Sequence, residues 1–177
     1  MGQVIALVGP SQAGKTTLTL AAVDAYPEKF AVLKSVTTRA WREAQDDRFY
    51  DFISDEEFTA LEAAGELLTS VTLVGKRYGT PRAELERLIA DHHVLWAMLE
   101  TSALAMRASS YPTRIVRIIP ENRDSSLVNA AIITARSAED EARAKIDLAP
   151  DFTLINSFTP GGKELALQEF IAYLNGL

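Results

Sequence analysis

Residues 4–16 read VIALVGPSQAGKT, and this stretch decides the fold. Val4–Val8 is a short, uniformly apolar run that stops at a Gly-Pro step, which is typical of a buried strand in a parallel sheet. The next residues, GPSQAGKT, match G-x-x-x-x-G-K-[ST] at every fixed position. This spacing lets backbone N–H groups surround a phosphate, while Lys15 reaches the β and γ oxygens and Thr16 can ligate Mg²⁺. We therefore predict a P-loop that binds a nucleoside triphosphate.

The remaining apolar runs extend this strand–loop–helix pattern along the chain. The periodicity predicts a helix from Lys15 to about Tyr26. Further elements are predicted as strands at residues 30–34, 94–99, 115–119 and 152–155, and as a last helix at about 162–174. Strands that alternate with helices indicate a parallel sheet covered on both faces. The predicted fold class is α/β, a three-layer sandwich of the P-loop NTPase type.

Residues 36–80 interrupt this alternation and are predicted to form a small inserted lobe. Ser54 and Glu57 have the capping-box spacing that starts a short helix. Residues 67–74 and 76–78 then indicate two paired strands around a glycine. We expect the lobe to have an antiparallel sheet of its own.

The chain is predicted to rejoin the core directly after the lobe. Thr80 is expected to be the N-cap of the next helix, with Pro81 at the first helical position. At 177 residues, the whole chain suits one compact domain.

Composition and charge exclude several classes of function. With 47% hydrophobic residues the chain can cover a sheet on both faces. A net charge of −6 and the lack of a basic cluster argue against a nucleic-acid-binding surface. The chain has no cysteine, so disulfides and thiolate metal sites are excluded. Val4–Val8 is too short for a membrane span, and we expect a cytoplasmic protein with no membrane partner.

Two arginines at the start of the lobe are candidates for a second phosphate site. Arg39 and Arg42 lie three residues apart in the run SVTTRAWR, beyond a strand next to the P-loop. Guanidinium groups give planar, bidentate contacts to phosphate, although two solvated surface arginines are an equally good interpretation. Between them, Trp41 is expected to pack the lobe onto the core. The following acidic pair, Asp46 and Asp47, is expected to be a solvated face.

Five motifs together resemble the guanylate kinase family. They occur in the family's order and near its spacing, most clearly over residues 4–80. The motifs are GPS at 9–11, S-x-T-T-R-x-x-R at 35–42, YDF at 50–52, GEL at 65–67 and RYGT at 77–80. The resemblance implies that residues 1–177 form a single guanylate-kinase-like domain with three regions: a core (1–35, 81–119 and 137–177), an NMP-binding lobe (36–80) and a lid (120–136). The resemblance implies an ATP- and Mg²⁺-dependent nucleoside monophosphate kinase whose partners are small-molecule nucleotides.

The resemblance also implies roles for particular residues. The implied ATP-binding residues are Gly9, Ser11, Ala13, Gly14, Lys15, Thr16, Thr17 and Asn156, with Thr16 also on Mg²⁺. The implied acceptor-binding residues are Ser35, Arg39, Arg42, Tyr50, Thr69, Tyr78, Thr80 and Glu100. The implied catalytic residues are Lys15, Arg39, Arg42 and Arg136.

The sequence departs from the family pattern at the base site and in the lid. Thr69 stands where the family has a glutamate that reads guanine, and a hydroxyl cannot replace the two charged oxygens of a carboxylate. Only one carboxylate, Glu100, follows the middle strand, where the family has two. The lid is shorter than the family's, with Arg123 as its one arginine before Arg136, and Arg143 is a possible substitute.

Three functions fit these features. The first is in-line phosphoryl transfer from Mg·ATP to an NMP, with GMP or dGMP as the best single guess. The second is a kinase of a different (d)NMP or of ribose 1,5-bisphosphate, and the third is a non-catalytic phosphopeptide-binding module. The GTPase motifs N-K-x-D and D-x-x-G are missing from the sequence. We expect a monomer or a homodimer.

Overall fold

The computed structural model describes residues 2–122 and 145–177, which form two sheets and the helices around them. The strands are β1 Val4–Val8, β2 Phe30–Val32, β3 Ser35–Thr37, β4 Tyr50–Phe52, β5 Leu67–Leu73, β6 Lys76–Pro81, β7 His93–Ala97, β8 Thr113–Glu121 and β9 Phe152–Ser157. The helices are α1 Lys15–Ala25, α2 Asp55–Ala63, α3 Arg82–Ile89, α4 Glu100–Arg107 and α5 Gly162–Asn175, with a 3₁₀ turn at Ala44–Arg48. Within the described residues, no helix is both long and apolar enough to cross a membrane.

The larger sheet places β1 at its centre. Its strand order is β2-β7-β1-β8-β9, and every neighbouring pair is parallel. All residues of β1 are fully buried, because helices cover both faces of the sheet. Val4, Ala6 and Val8 pack in one core cluster with residues of α3 and α4. Ile5 and Leu7 pack in the other with residues of α1 and α5. The predicted α/β class with a parallel central sheet is therefore confirmed.

Four strands of this sheet end two residues from their predicted ends: β2 and β7 end earlier, and β8 and β9 end later. β2 stops at Val32, because the chain leaves the core sheet and enters β3 of the second sheet at Ser35. β8 continues through Glu121, because β9 goes on pairing with it. In that extension Pro120 lies opposite Asn156. The end of β8 thus extends into residues predicted to belong to the lid.

The smaller sheet is mixed, so the predicted antiparallel lobe is wrong in one pairing. Its strand order is β4-β3-β6-β5. β6 is antiparallel to both β3 and β5, but β3 and β4 are parallel. A parallel pair needs a crossover of about a dozen residues, and the segment from Thr38 to Phe49 supplies it. This crossover carries both candidate arginines and the 3₁₀ turn.

The predicted helix starts have opposite outcomes. Ser54 and Glu57 form the complete capping box: the Ser54 Oγ accepts from the Glu57 N at 3.1 Å, and Glu57 Oε2 accepts from the Ser54 N at 2.8 Å. The N-cap role of Thr80 is wrong, because β6 continues to Pro81 and Pro81 itself precedes α3. The Thr80 side chain, 1% exposed, is instead next to Thr69 of the neighbouring strand.

Candidate active site

The P-loop connects β1 to α1 in a conformation that requires glycine at two positions. Gly9 has a φ of 150°, and a Cβ there would lie 2.4 Å from the carbonyl oxygen of Ile118. Gly14 has a φ of 94°, and its Cβ would lie 2.3 Å from Nδ2 of Asn156. Both values lie in the region that favours glycine, and both contacts are too short for any side chain. The loop is therefore fixed by its main chain.

Lys15 and Thr16 start α1 at the end of this loop. The Lys15 ammonium donates to the carbonyl oxygens of Gly9 and Pro10, each at 2.7 Å, so it lies over the loop. The first turn of α1 contains no acidic residue, so no side chain of that turn offsets the partial positive charge of the helix N-terminus. Backbone amides, an ammonium and the Thr16 hydroxyl together suit the phosphates of a triphosphate.

Asn156 supports the P-loop from the end of β9. Its side chain is 5% exposed, and its Nδ2 donates to the carbonyl oxygen of Ala13 at 2.8 Å. The sequence did not indicate this contact, because Ala13 and Asn156 are brought together only by the order of the strands. The implied role of Asn156 near the ATP adenine stays a prediction.

Arg39 is buried and paired with Asp46. Its Nη1 donates to Asp46 Oδ2 at 2.8 Å and its Nη2 to Oδ1 at 2.6 Å, a bidentate ion pair. Nη1 also donates to the carbonyl oxygen of Ala40 at 2.9 Å. The guanidinium carbon lies 4.6 Å from the ring centroid of Tyr50. The expectation that Asp46 is solvated is wrong: it is 7% exposed, because the 3₁₀ turn brings it back to Arg39.

These contacts also fix the charges of the group. Hydrogen bonds from Arg39 lower the pKa of the Asp46 carboxyl and outweigh the opposing effect of burial. The bond to Asp46 raises the pKa of Arg39 in turn. Burial raises the pKa of the Tyr50 phenol. At neutral pH the site therefore holds a guanidinium, a carboxylate and a neutral phenol that can donate a hydrogen bond.

The rest of the crossover is attached differently from what the sequence suggested. Trp41 does not pack the lobe onto the core: it is 53% exposed, and its Nε1 donates to Asp47 Oδ1 at 3.0 Å. The next residue, Arg48, forms an ion pair with Asp24 of α1 at 2.7 Å and so joins the crossover to the core. Three consecutive residues of the 3₁₀ turn thus bind three different partners.

The P-loop and the candidate acceptor residues line one cleft of about 280 Å³. From the P-loop and the start of α1 the cleft is lined by Gly9, Ser11, Lys15 and Thr16. From the lobe it is lined by Ser35, Arg39, Arg42, Tyr50, Thr69, Tyr78 and Thr80. Of the other predicted ATP-binding residues, Ala13 is buried in the loop beneath the cleft, Gly14 precedes α1 and Thr17 is exposed on α1.

One wall of the cleft is apolar and was missed by the sequence reasoning. It contains Val71 and Leu73 from β5, Trp96 from β7 and Met98 directly after β7. Thr69 shares the face of Val71 and Leu73 on β5, so strand alternation from Thr69 was the available signal. The Thr69 hydroxyl donates to the Thr80 hydroxyl at 3.2 Å at the end of this wall.

Some predicted residues are not brought into this cleft. Glu100, 6% exposed at the start of α4, lines a neighbouring concavity with Gly9, Pro10 and Arg117. Its position is thus beside the start of the P-loop rather than among the acceptor residues. The predictions for Arg123, Arg136 and Arg143 concern positions outside the described residues.

Comparison with known proteins places these features in a family. The family model for guanylate kinase matches residues 1–147. The guanylate kinase of Streptomyces coelicolor is 37% identical over 163 residues, which cover 85% of this chain and 81% of that protein. The guanylate kinase of Thermosynechococcus vestitus is 35% identical over 161 residues, covering 85% and 83%.

A solved structure shares the fold. The guanylate kinase from Anaplasma phagocytophilum superposes with a TM-score of 0.68 at 21% identity, covering 99% of this chain and 85% of that one. The matched family model and the relatives agree with the motifs that line the cleft. This chain belongs to the guanylate kinase family.

Proposed function

We propose that the protein transfers the γ-phosphoryl group of Mg·ATP to a nucleoside monophosphate, with GMP or dGMP as the first acceptors to test. One observation carries the proposal: the P-loop lines the same cleft as Arg39, a buried arginine that is paired with Asp46. The relatives that match over most of the chain are named guanylate kinases, which favours GMP among the monophosphates.

The donor side of the cleft neutralises the triphosphate. Phosphoryl transfer depends mainly on positioning and on charge neutralisation, so it needs no protein nucleophile. The Lys15 ammonium donates to two loop carbonyl oxygens in this structure. When ATP is bound, it would donate to the β- and γ-phosphate oxygens instead. Thr16 fits a role in holding Mg²⁺, because this ion takes one or two protein ligands and completes its shell with phosphate and water. When bound, the ion would offset the negative charge of the transferring phosphates.

The acceptor side orients the nucleophilic phosphate. Arg39, Arg42, Tyr50 and Tyr78 would bind the phosphate of the monophosphate through charged and phenolic donors. The hydroxyls of Ser35, Thr69 and Thr80 would face the base, next to the apolar wall. Arg136 would contact the phosphoryl group while it is transferred. The Glu100 carboxylate would lie beside the P-loop.

An acceptor panel tests this proposal. The purified protein is given Mg·ATP with GMP, dGMP, AMP, CMP, UMP or ribose 1,5-bisphosphate, and ADP formation is followed by a coupled assay. We expect ADP formation that requires a nucleoside monophosphate and is fastest with GMP or dGMP. ATP consumption that ignores every monophosphate would contradict the proposal. Activity with ribose 1,5-bisphosphate alone would instead support the sugar-phosphate kinase.

The setting of the reaction is also a proposal. We place the protein in the cytoplasm, where ATP and the nucleoside monophosphates are available. A monomer or a homodimer is expected, and light scattering of the eluted protein would distinguish them.

A further inference from the structure

We propose that Asp46 is a positioning residue for the acceptor phosphate, which acts by fixing the guanidinium of Arg39. This inference rests on the proposed function, because it assigns a role within the same cleft. Asp46 itself is absent from the residues that line the cleft, whereas its partner Arg39 is among them. Asp46 therefore acts through Arg39 and not by touching the substrate.

The hydrogen bonds that Arg39 makes to Asp46 and Ala40 leave one edge of the guanidinium for a ligand, next to the phenol of Tyr50, which also interacts with Arg39. A guanidinium has five N–H donors in one plane. Asp46 and the Ala40 carbonyl take three of them, two from Nη1 and one from Nη2. The other two are the Nε–H and the second N–H of Nη2, which lie on the same edge and point in the same direction. Such a parallel pair matches two oxygens of a phosphate.

The plane of the guanidinium is fixed as well as its direction. The guanidinium carbon lies 4.6 Å from the ring centroid of Tyr50 and 5.4 Å from that of Phe52. Tyr50 and Phe52 are two residues apart on β4 and share one face of the strand, so both rings lie beside the guanidinium of Arg39. With Asp46 at one end and the rings against it, a long side chain is held before a substrate arrives. Preorganisation of this kind lowers the entropy lost on binding.

Asp46 also orders the second arginine of the pair. Its Oδ2 accepts from the backbone N of Arg42 at 3.0 Å. One carboxylate therefore fixes the side chain of Arg39 and the main chain of Arg42. The Arg42 residue is exposed and lines the same cleft.

If only net charge mattered, removal of the Asp46 carboxylate would tighten acceptor binding, whereas a positioning role predicts weaker binding. This difference makes the role testable. The charge effect arises because a carboxylate close to a phosphate site repels the anion. A role confined to stability predicts a lower Tm with no change in the KM for the acceptor in the folded protein.

The first experiment compares Asp46→Asn with Asp47→Asn. Both remove one carboxylate from the same 3₁₀ turn, but the Asp47 side chain binds the exposed Trp41 instead of Arg39. We expect Asp46→Asn to raise the KM for GMP about tenfold or more, while the KM for Mg·ATP stays within about twofold. Asp47→Asn should leave both constants within about twofold. An unchanged or lower KM for GMP in folded Asp46→Asn would overturn the inference.

A double-mutant cycle separates positioning from an independent effect. In an Arg39→Ala background, Asp46→Asn should raise the KM for GMP much less than it does in the wild type, because only the bond from Asp46 to the Arg42 main chain is left to lose. Equal effects in both backgrounds would contradict the proposal. If Asp46→Asn does not fold, Asp46→Glu keeps the charge and displaces the carboxylate by one methylene. It should raise the KM for GMP severalfold, and an unchanged KM would overturn the inference.

The two proposals fail in different ways. A wild-type protein that phosphorylates no nucleoside monophosphate contradicts the proposed function. A wild-type protein that does so, with an Asp46→Asn variant of normal acceptor KM, contradicts only the role of Asp46.

Discussion

The P-loop and the crossover of residues 38–49 both face the same cleft, but they are held in place by different means. The P-loop is fixed by main-chain conformation at Gly9 and Gly14 and by bonds to its own carbonyls. The crossover is fixed by side-chain pairs, chiefly Arg39 with Asp46 and Arg48 with Asp24. Substitutions in the two regions should therefore have effects of different kinds.

The difference also separates rigid from adjustable parts of the cleft. At Gly9 and Gly14 a side chain would meet both a positive φ and a clash at its Cβ, whereas a bidentate ion pair can be lengthened or neutralised in steps. We expect the P-loop to lose function abruptly when it is changed. The crossover should lose acceptor affinity gradually. The following predictions, from the largest effect to the smallest, test this contrast.

Lys15→Ala should have the largest effect. It removes the ammonium that lies over the P-loop, and kcat/KM should fall about 10³-fold or more, roughly 4 kcal/mol of transition-state stabilisation. Steady-state kinetics with GMP measures this. Lys76→Ala, an exposed lysine of the β5–β6 hairpin, is the matched control and should keep normal activity. A loss of less than about tenfold for Lys15→Ala would show that the ammonium is not central.

Gly14→Ala should abolish tight binding of Mg·ATP and destabilise the fold. The new methyl group would meet Asn156 at 2.3 Å in a left-handed conformation, so we expect about 2–4 kcal/mol of lost stability. Gly75→Ala is the control: its φ is also positive, at 67°, but no atom lies within 4 Å. Strain alone should reduce its stability by about 1 kcal/mol. Urea unfolding and calorimetry measure both, and equal losses would argue against the contact with Asn156.

The Arg39–Asp46 pair should give a stability contribution that disappears in acid. Arg39 lowers the pKa of Asp46 below its ordinary value of 3.8, so the folded state favours the carboxylate. The contribution is then fully present above this ordinary pKa and is lost as pH falls below it towards the folded value. The difference in unfolding free energy between wild type and Asp46→Asn should be about 2 kcal/mol from pH 5 to 7 and shrink below about pH 4. A difference that grows in acid would contradict this pairing.

Arg48→Ala should have the smallest effect. Its ion pair with Asp24 is exposed, and exposed pairs contribute little and are screened by salt. We expect a slightly lower Tm at low ionic strength and no difference from wild type at about 1 M salt. A loss that persists in high salt would indicate that Arg48 docks the crossover by packing instead of charge.

Structural features that depend on a few consecutive residues could be predicted from the sequence. The apolar run of β1, the P-loop spacing and the Ser54–Glu57 capping box each depend on a few neighbouring residues, and the structure contains all three. The parallel sheet followed from their alternation. These signals are local because main-chain conformation is set by adjacent side chains.

Features that depend on the folded arrangement could not be predicted in the same way. An Asp-Asp pair in a polar loop has the pattern of a solvated face, and only the parallel crossover places Asp46 against Arg39. Trp41 is exposed because Asp47 supplies a partner for its indole N–H on the surface. The N-cap prediction for Thr80 was wrong because β6 continues through Thr80 and Pro81, although this pair has the pattern of a helix start. In each case a residue distant in sequence, or the direction of a strand, decided the outcome.

The most direct test of the central claim is ³¹P NMR of the protein with Mg·ATP and GMP. If one cleft holds donor and acceptor together, the γ-phosphate signal of ATP should be lost one-for-one with the appearance of the GDP β-phosphate. Omitting GMP should leave ATP nearly unchanged. Release of inorganic phosphate in place of GDP, at a rate that GMP does not affect, would contradict transfer between the two sides of the cleft.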